Sequence, residues 1–395
     1  GGHAAALARI EERIAAGDTY QVNFTFPLEA PLEEDPHALF ARLVCVQRSR
    51  HAALVDLGRF VIACASPELF FRLEDGVLVT RPMKGTAPHG RDAAEDEARA
   101  AALRESAKER AENLMIVDMM RNDLGRVAET GSVEVPALFE VERYPTLLQM
   151  TSTVTARSRA PLSALLEALF PCASVTGAPK KRTMEIVAAI ETAPRGVYTG
   201  AVGWASPEGT AKFGVAIRTV VADRERGFAH FGVGSGVVAD SEAGPEYAEC
   251  LLKARILEEP AFALLETMAF HPGEGYRRLE GHLARLAQSA RHFAFPLDMR
   301  RVEEALRDAA APATPFRARL LLHADGRVEV QSSALPPSAT RPLRVGIAAR
   351  PVDPRSAWLF HKTTRREVYE EAAASRPDCD DVLLWNERGE LTESS

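Results

Sequence analysis

Two pairs of glutamates, Glu109 with Glu112 and Glu246 with Glu249, each stand three residues apart in a chain of 395 residues. On a helix that spacing puts both carboxylates of a pair on one face. Two such helices together could supply the oxygen-rich surroundings that Mg²⁺ prefers, and the ion would hold a substrate carboxylate and neutralise its charge. Taken singly, each pair reads first as a solvated charged face. Lys84, in Arg81-Pro82-Met83-Lys84-Gly85-Thr86, is a further candidate. An amine attacks only when neutral, so a catalytic lysine needs burial or nearby positive charge to bring it down from a pKa of about 10.4. In residues 231–237 the glycines Gly232, Gly234 and Gly236 share one strand face. Glycine weakens a strand, so three on one face mean that something approaches the backbone. A small anion with Arg218 on its carboxylate accounts for that face, and so does close packing of a neighbouring element.

The elements that position these residues follow from periodicity. Residues 59–67, 69–73 and 77–81 are strand-like, with Asp75-Gly76 as a hairpin turn, so Lys84 leaves a strand end. A strict two-residue turn sets Glu68 opposite Met83 and turns Lys84 to the other face, whereas one bulge near Pro82 brings the carboxylate and the amine together. Both registers stay open. Residues 7–16 have helical spacing closed by Gly17-Asp18, and 20–28 alternate as a strand with Gln21 and Asn23 on one face. Residues 93–120 read as one long helix, which Arg121-Asn122-Asp123-Leu124-Gly125 ends. Ser174 to Lys180 leads into a helix over 179–193 with Pro179 in its first turn, where free N–H groups offer an anion site or an ordinary cap. A helix over 245–257 presents Glu246 and Glu249.

Length predicts two domains, 1–259 and 260–395. With 46% hydrophobic and 26% charged residues and a net charge of −7, the chain is expected to be soluble and globular and to bind no nucleic acid. No run approaches the roughly 20 apolar residues of a membrane span. The five cysteines, Cys45, Cys64, Cys172, Cys250 and Cys379, form no C-x-x-C pair, which suggests neither a zinc site nor a disulfide framework and fits a reducing cytoplasm. Gly1-Gly2-His3 has no basic leader, and the abrupt start and end read as those of a fragment.

The ordered set Gly17 to Asn23, Ser66-Pro67-Glu68, Met83-Lys84-Gly85-Thr86, Glu112 to Asp118, Arg121 to Gly125, Val175 to Lys180, Gly232 to Gly236 and Glu246 to Glu249 resembles the chorismate-utilising enzymes over residues 5–258. The resemblance implies an α+β fold of layered antiparallel sheets flanked by helices, lacking its amino-terminal part. Lysine at the position of Lys84 resembles aminodeoxychorismate synthase component I, where anthranilate synthase component I has a small residue. The resemblance further implies Mg²⁺ held mainly by Glu112 and Glu249, with Glu109 and Glu246 close by. It implies carboxylate contacts from Arg218 and the backbone of Gly234, Ser235 and Gly236, with Tyr198, Thr176 and Lys253 in the same pocket. Gln21 stands where isochorismate and salicylate synthases have a water-activating lysine, which favours ammonia as the nucleophile. Lys84 would attack C2 of chorismate with Glu68 as proton shuttle, and ammonia would come from a separate glutamine amidotransferase subunit. Gln149 stands where many relatives have a histidine that assists the leaving hydroxyl.

From residue 260 the pattern restarts. Leu264-Leu265-Glu266-Thr267-Met268, His282, Arg285, His361-Lys362-Thr363-Thr364-Arg365 and Leu391-Thr392-Glu393-Ser394-Ser395 resemble fold-type IV pyridoxal-phosphate enzymes, especially aminodeoxychorismate lyase. The resemblance implies Lys362 as the cofactor-bearing lysine, Glu393 beside the pyridine nitrogen and Arg285 on the phosphate. The domain is expected to be truncated and not to sustain lyase turnover. Two rival readings are anthranilate synthase component I and a non-catalytic scaffold that docks an amidotransferase.

Overall fold

The computed structural model describes residues 2–47, 49–144, 147–258, 261–310, 314–336, 341–354 and 356–394. Gly1, the expected boundary at Pro260 and the last residue of the 391–395 motif, Ser395, lie outside them. The chain forms two compact units, Gly1–Pro88 with Ala100–Pro260, and His89–Arg99 with Ala261–Ser395. The fold is α+β, built on sheets that are antiparallel except for the parallel pair Val345–Ile347 and Asp381–Trp385, with helices against them.

The first unit has two sheets. One runs in the order His51–Asp56, Phe60–Ser66, Thr219–Asp223, Phe228–Val237, Gln21–Pro31, Gly177–Ala178. Its apolar face, with Ala63, Ala65, Val220, Phe231 and Val233, packs against Leu39, Leu43 and Val46 of the helix Pro36–Gln47. The other runs Ala201–Ala205, Ala211–Val215, Leu69–Glu74, Val77–Arg81, Leu147–Arg157, Met83–Pro88, with Glu134–Arg143 also on Leu147–Arg157. Phe70, Phe71, Leu78 and Val154 of this sheet share a core with Ile116, Val117, Met120 and Leu124.

Those last four residues belong to the helix Ala107–Gly125, and they correct the expectation of one helix over 93–120. The stretch is two helices, Ala93–Glu105 and Ala107–Gly125, divided at Ser106. Ser106 is extended, and its hydroxyl accepts the Glu109 N–H at 3.3 Å. Ser106 and Glu109 have the spacing of a capping box, a start signal the apolar periodicity hides. The helix also runs through Arg121 to Gly125, because the buried stripe Asn113, Ile116, Val117, Met120, Leu124 continues at helical spacing and Asp123 is held by Lys180 at 2.5 Å.

The structure resolves the hairpin register. Asp75 and Gly76 turn with φ of 51° and 72°, and Glu74, Leu73 and Arg72 face Val77, Leu78 and Val79 as a two-residue turn demands. Phe70 and Phe71, both fully buried, together stand opposite Thr80. This bulge shifts the register by one before Glu68 is reached. It lies in the first strand, not near Pro82.

In the second unit, Gly275–Tyr276, Ala263–His271, Phe316–His323 and Val328–Ser333 form a sheet that packs its apolar face on the helices Leu279–His292 and Met299–Ala309. A smaller sheet, Val345–Ile347, Asp381–Trp385, Leu391–Ser394, carries the helix Glu367–Ala374.

Candidate active site

Lys84 sits in the strand Met83–Pro88, and its neighbours hold the backbone rather than the amine. Asn113 donates to the Lys84 carbonyl at 3.2 Å and accepts from the Ser152 hydroxyl at 2.5 Å. Gln149 donates to the Gly85 carbonyl at 2.8 Å. Gly85 has φ 97°, and a Cβ there would come 3.1 Å from Glu109 Oε2, so the chain passes directly beside that carboxylate. The amine is left to face a cavity of about 270 Å³, lined also by Glu68, Glu109, Glu112, Glu246, Glu249, Arg218, Tyr198 and Lys253.

The electrostatics of that cavity favour a neutral amine. Burial pushes the Lys84 pKa down and the Lys253 ammonium pushes it further, against the pull of Glu112, Glu249 and Glu68. Burial raises the Glu68 carboxyl to about 7, although contacts from Ser174, Lys84 and the Met83 backbone act the other way. Burial thus pushes the carboxyl up and the amine down within one cavity.

All four glutamates reach this space. Glu109 and Glu112 come from the first turns of Ala107–Gly125, Glu246 and Glu249 from Ala243–Ala254. Burial and the charges of Glu112 and Glu249 raise the pKa of Glu109. Burial alone would raise that of Glu249 as well, but Lys253, Lys84 and Arg218 together outweigh it and hold the group below the usual range. Glu246 has one oxygen on the Ser241 hydroxyl at 2.7 Å and the other buried without a partner. Mutually repelling carboxylates with an orphaned oxygen fit a hard cation that keeps part of its water.

The bare glycine face has two neighbours. A Cβ on Gly232 would lie 2.1 Å from the Tyr198 ring, so that glycine serves packing. A Cβ on Gly236 would lie 2.8 Å from Lys84 Nζ and 2.5 Å from Gln21 Nε2, so that one serves the amine. Arg218 has φ 51° just past the strand Ala211–Val215, its guanidinium donates to the Lys253 carbonyl, and burial lowers its pKa. Burial likewise raises the pKa of the Tyr198 phenol.

One expected pocket residue is placed otherwise. The Thr176 hydroxyl donates to the carbonyls of Cys172 and Ala173, away from the cavity lining. The Ser235 side chain alternates to the opposite face from Gly234 and Gly236, and Gln21, though outside the cavity lining, brings its Nε2 to the same side of Gly236 as the Lys84 amine. The helix after Pro179 offers no anion site at the cavity either: Lys180 is paired with Asp123, and Gly177 is pressed on the Gln21 carbonyl. Asn113, Ser174 and Lys108 were missed. Asn113 had a signal, a polar residue on an otherwise apolar helix stripe.

In the second unit, Lys362, Glu393 and Arg285 line one cavity of about 290 Å³. The Lys362 carbonyl accepts from Leu265 N–H at 2.9 Å, and burial lowers the pKa of its amine. Burial raises that of Glu393, which is bonded to Tyr369. These groups fit a cofactor held on a lysine. Arg285, however, is already bound through two nitrogens to the buried Glu266, at 2.7 and 2.5 Å.

A carboxylate-lined cavity with a buried lysine, on paired antiparallel sheets, has its counterpart among known proteins. Residues 2–259 match the family described as chorismate binding enzyme, and the chain belongs to that family. Residues 263–395 match amino-transferase class IV. Aminodeoxychorismate synthase component 1 of Klebsiella aerogenes is 43% identical over 254 residues, covering 64% of this chain and 56% of that one. Anthranilate synthase component 1 of Streptomyces coelicolor is also 43% identical, over 256 residues, covering 64% of this chain and 49% of its own length. The crystal structure of anthranilate synthase component I from Streptococcus pneumoniae matches with a TM-score of 0.60 at 33% identity, over 65% of this chain and 57% of that one. The chain thus spans about half the length of these relatives. Among the described residues no helix is long and apolar enough to cross a membrane.

Proposed function

We propose that the first unit aminates chorismate at C4 to give 4-amino-4-deoxychorismate, the reaction of aminodeoxychorismate synthase component I, with ammonia from a glutamine amidotransferase subunit. The observation that carries this reading is the buried, pKa-depressed amine of Lys84 in one cavity with the Glu68 carboxyl, raised to about 7. Lys84 Nζ forms a bond to C2 as the ring double bond shifts and the C4–O bond breaks. The departing hydroxyl takes the Glu68 proton and leaves as water. Ammonia then bonds to C4, the C2–Nζ bond breaks, and the new ammonium returns a proton to Glu68. Pyruvate stays on the ring throughout. Glu112 and Glu249, with Glu109 and Glu246 beside them, would hold Mg²⁺, which neutralises the substrate's ring carboxylate. Arg218 and the Gly234 to Gly236 backbone would meet the other carboxylate.

Relatives of both kinds match at 43% identity, so the choice between the two activities rests in this reading on Lys84. In the second unit, Lys362 would carry pyridoxal phosphate beside Glu393, without this chain sustaining lyase turnover. The test of the covalent route is mass spectrometry after incubation with chorismate and Mg²⁺ without ammonia. An adduct on the Lys84 peptide is expected, and its absence would sink the route. Anthranilate fluorescence with pyruvate release on adding ammonium would support the rival activity instead.

A further inference from the structure

The second unit contains a cluster that neither reading uses. His89 and Asp96 belong to the segment His89–Arg99, and His292 is the last residue of the helix Leu279–His292. Asp96 Oδ1 accepts the Gly90 N–H at 2.7 Å and lies 3.0 Å from His89 Nδ1, while Oδ2 lies 3.0 Å from His292 Nδ1. One ligand atom from each of the three residues lies within 4.8 Å of the other two. The His292 side chain has 0% exposure, yet neither of its ring nitrogens has a hydrogen-bond partner. Nearly all buried polar groups are satisfied, so a buried imidazole with no hydrogen bond at either nitrogen calls for a partner of another kind. Its Nδ1 lies 3.0 Å from Asp96 Oδ2, a separation that two ligand atoms of one cation can have.

We propose that His89, Asp96 and His292 bind a divalent transition-metal ion of the zinc type. Two imidazoles and one carboxylate suit such an ion and do not suit Mg²⁺, which prefers oxygen ligands throughout. With metal–ligand bonds of about 2.0–2.2 Å, tetrahedral ligand atoms stand about 3.3 Å apart, close to the 3.0 Å that separates each imidazole from Asp96. The Gly90 N–H on Asp96 orients the carboxylate from outside, as ligands of bound metals are commonly oriented. The role is structural. The His292 ring stacks on His361 with centroids 4.2 Å apart and planes at 22°, and His361 precedes Lys362. An ion at His292 would therefore fix the ring that backs the Lys362 segment.

The test uses the full chain, stripped by chelator and titrated with Zn²⁺ and, separately, Co²⁺ in excess Mg²⁺ to occupy oxygen sites. Retention of one ion per chain after desalting is expected, with Co²⁺ visible bands of nitrogen-containing low-coordinate geometry and a raised Tm. Asp96→Asn and His292→Gln should each weaken Zn²⁺ binding by about tenfold or more, whereas Glu112→Gln should leave it unchanged. If a buried variant does not fold, His89→Gln supplies the same comparison. No retained Zn²⁺ in the unaltered chain, or equal retention in the ligand variants, would overturn the proposal.

Discussion

Lys253 closes an ion pair with Glu249, Nζ to Oε1 at 2.6 Å, across one turn of the helix Ala243–Ala254, and the same ammonium donates to the Gly234 carbonyl at 2.7 Å. The pair pins a positive charge in the cavity that holds Lys84, and after burial that charge is the largest influence depressing the Lys84 amine. Removing it raises the Lys84 pKa, since the protonated form loses a repelling neighbour. In Lys253→Met the acidic limb of the kcat/KM profile should therefore move to higher pH. Activity at neutral pH should fall about tenfold for each unit the limb moves and return as the pH is raised. A lowered plateau with an unmoved limb would mean that Lys253 only binds substrate.

Gly236 and Gly232 lie two residues apart on each side of Gly234 yet should respond differently to alanine. At Gly236 the new methyl meets the mobile ends of Lys84 and Gln21, which can move aside. Gly236→Ala should fold normally and lose amination by about a hundredfold, because a misplaced nucleophile costs that much. At Gly232 the methyl meets the ring of Tyr198, which burial holds in place. Overpacking of about 1–3 kcal/mol should appear as a fall in Tm. Melting curves and product assays on both variants separate the two effects.

The contrast shows what the residues alone could and could not tell. Glycines at 232, 234 and 236 announced a close approach, but only the fold reveals a tyrosine ring at one and an amine at another. Glu109, Glu112, Glu246 and Glu249 were legible because helical spacing fixes a face locally. The Glu68 register was not, because it depends on a bulge at Phe70 and Phe71 that no local spacing signals. The division at Ser106 was written in a capping pattern that alanine-rich periodicity masked. The His89, Asp96 and His292 cluster joins residues nearly two hundred positions apart, with no motif spacing to signal it.

Glu68 should make stability depend on pH. Its carboxyl has an ordinary value of 4.5 and stands at about 7 in the folded protein. Between these values the unfolded chain releases the proton while the folded chain keeps it. The folded state then binds more protons, so stability falls as pH rises through this window, and the loss is complete above about 7. Glu68→Gln removes the term. Relative to the unaltered chain, the variant should gain about 3 kcal/mol at most between pH 4.5 and pH 8, an order-of-magnitude ceiling. Denaturant unfolding at the two pH values measures it, and a difference that does not change with pH would show that Glu68 titrates as an exposed carboxyl.

Asn113 should matter to both folding and chemistry, because one amide joins the Lys84 carbonyl to the Ser152 hydroxyl inside the core. The Ser152 hydroxyl also donates nowhere else among the described bonds, though its oxygen accepts from Phe139 N–H at 3.1 Å. Asn113→Ala leaves that hydroxyl and the Lys84 carbonyl short of a partner, which should destabilise the fold by about 1–3 kcal/mol. Asn113→Asp is the sharper probe. It keeps the acceptor for Ser152 and replaces the donor to Lys84 by a carboxylate oxygen, so that repulsion pushes the Lys84 peptide away. Stability should then fall with pH as the new carboxylate ionises, and the chorismate adduct at Lys84 should form more slowly than in Gln149→Ala, where the Gly85 carbonyl and the Thr86 hydroxyl lose their partner but the Lys84 carbonyl does not. Equal adduct rates in the two variants would mean that the cavity walls alone, without the Asn113 bond, hold the amine in place.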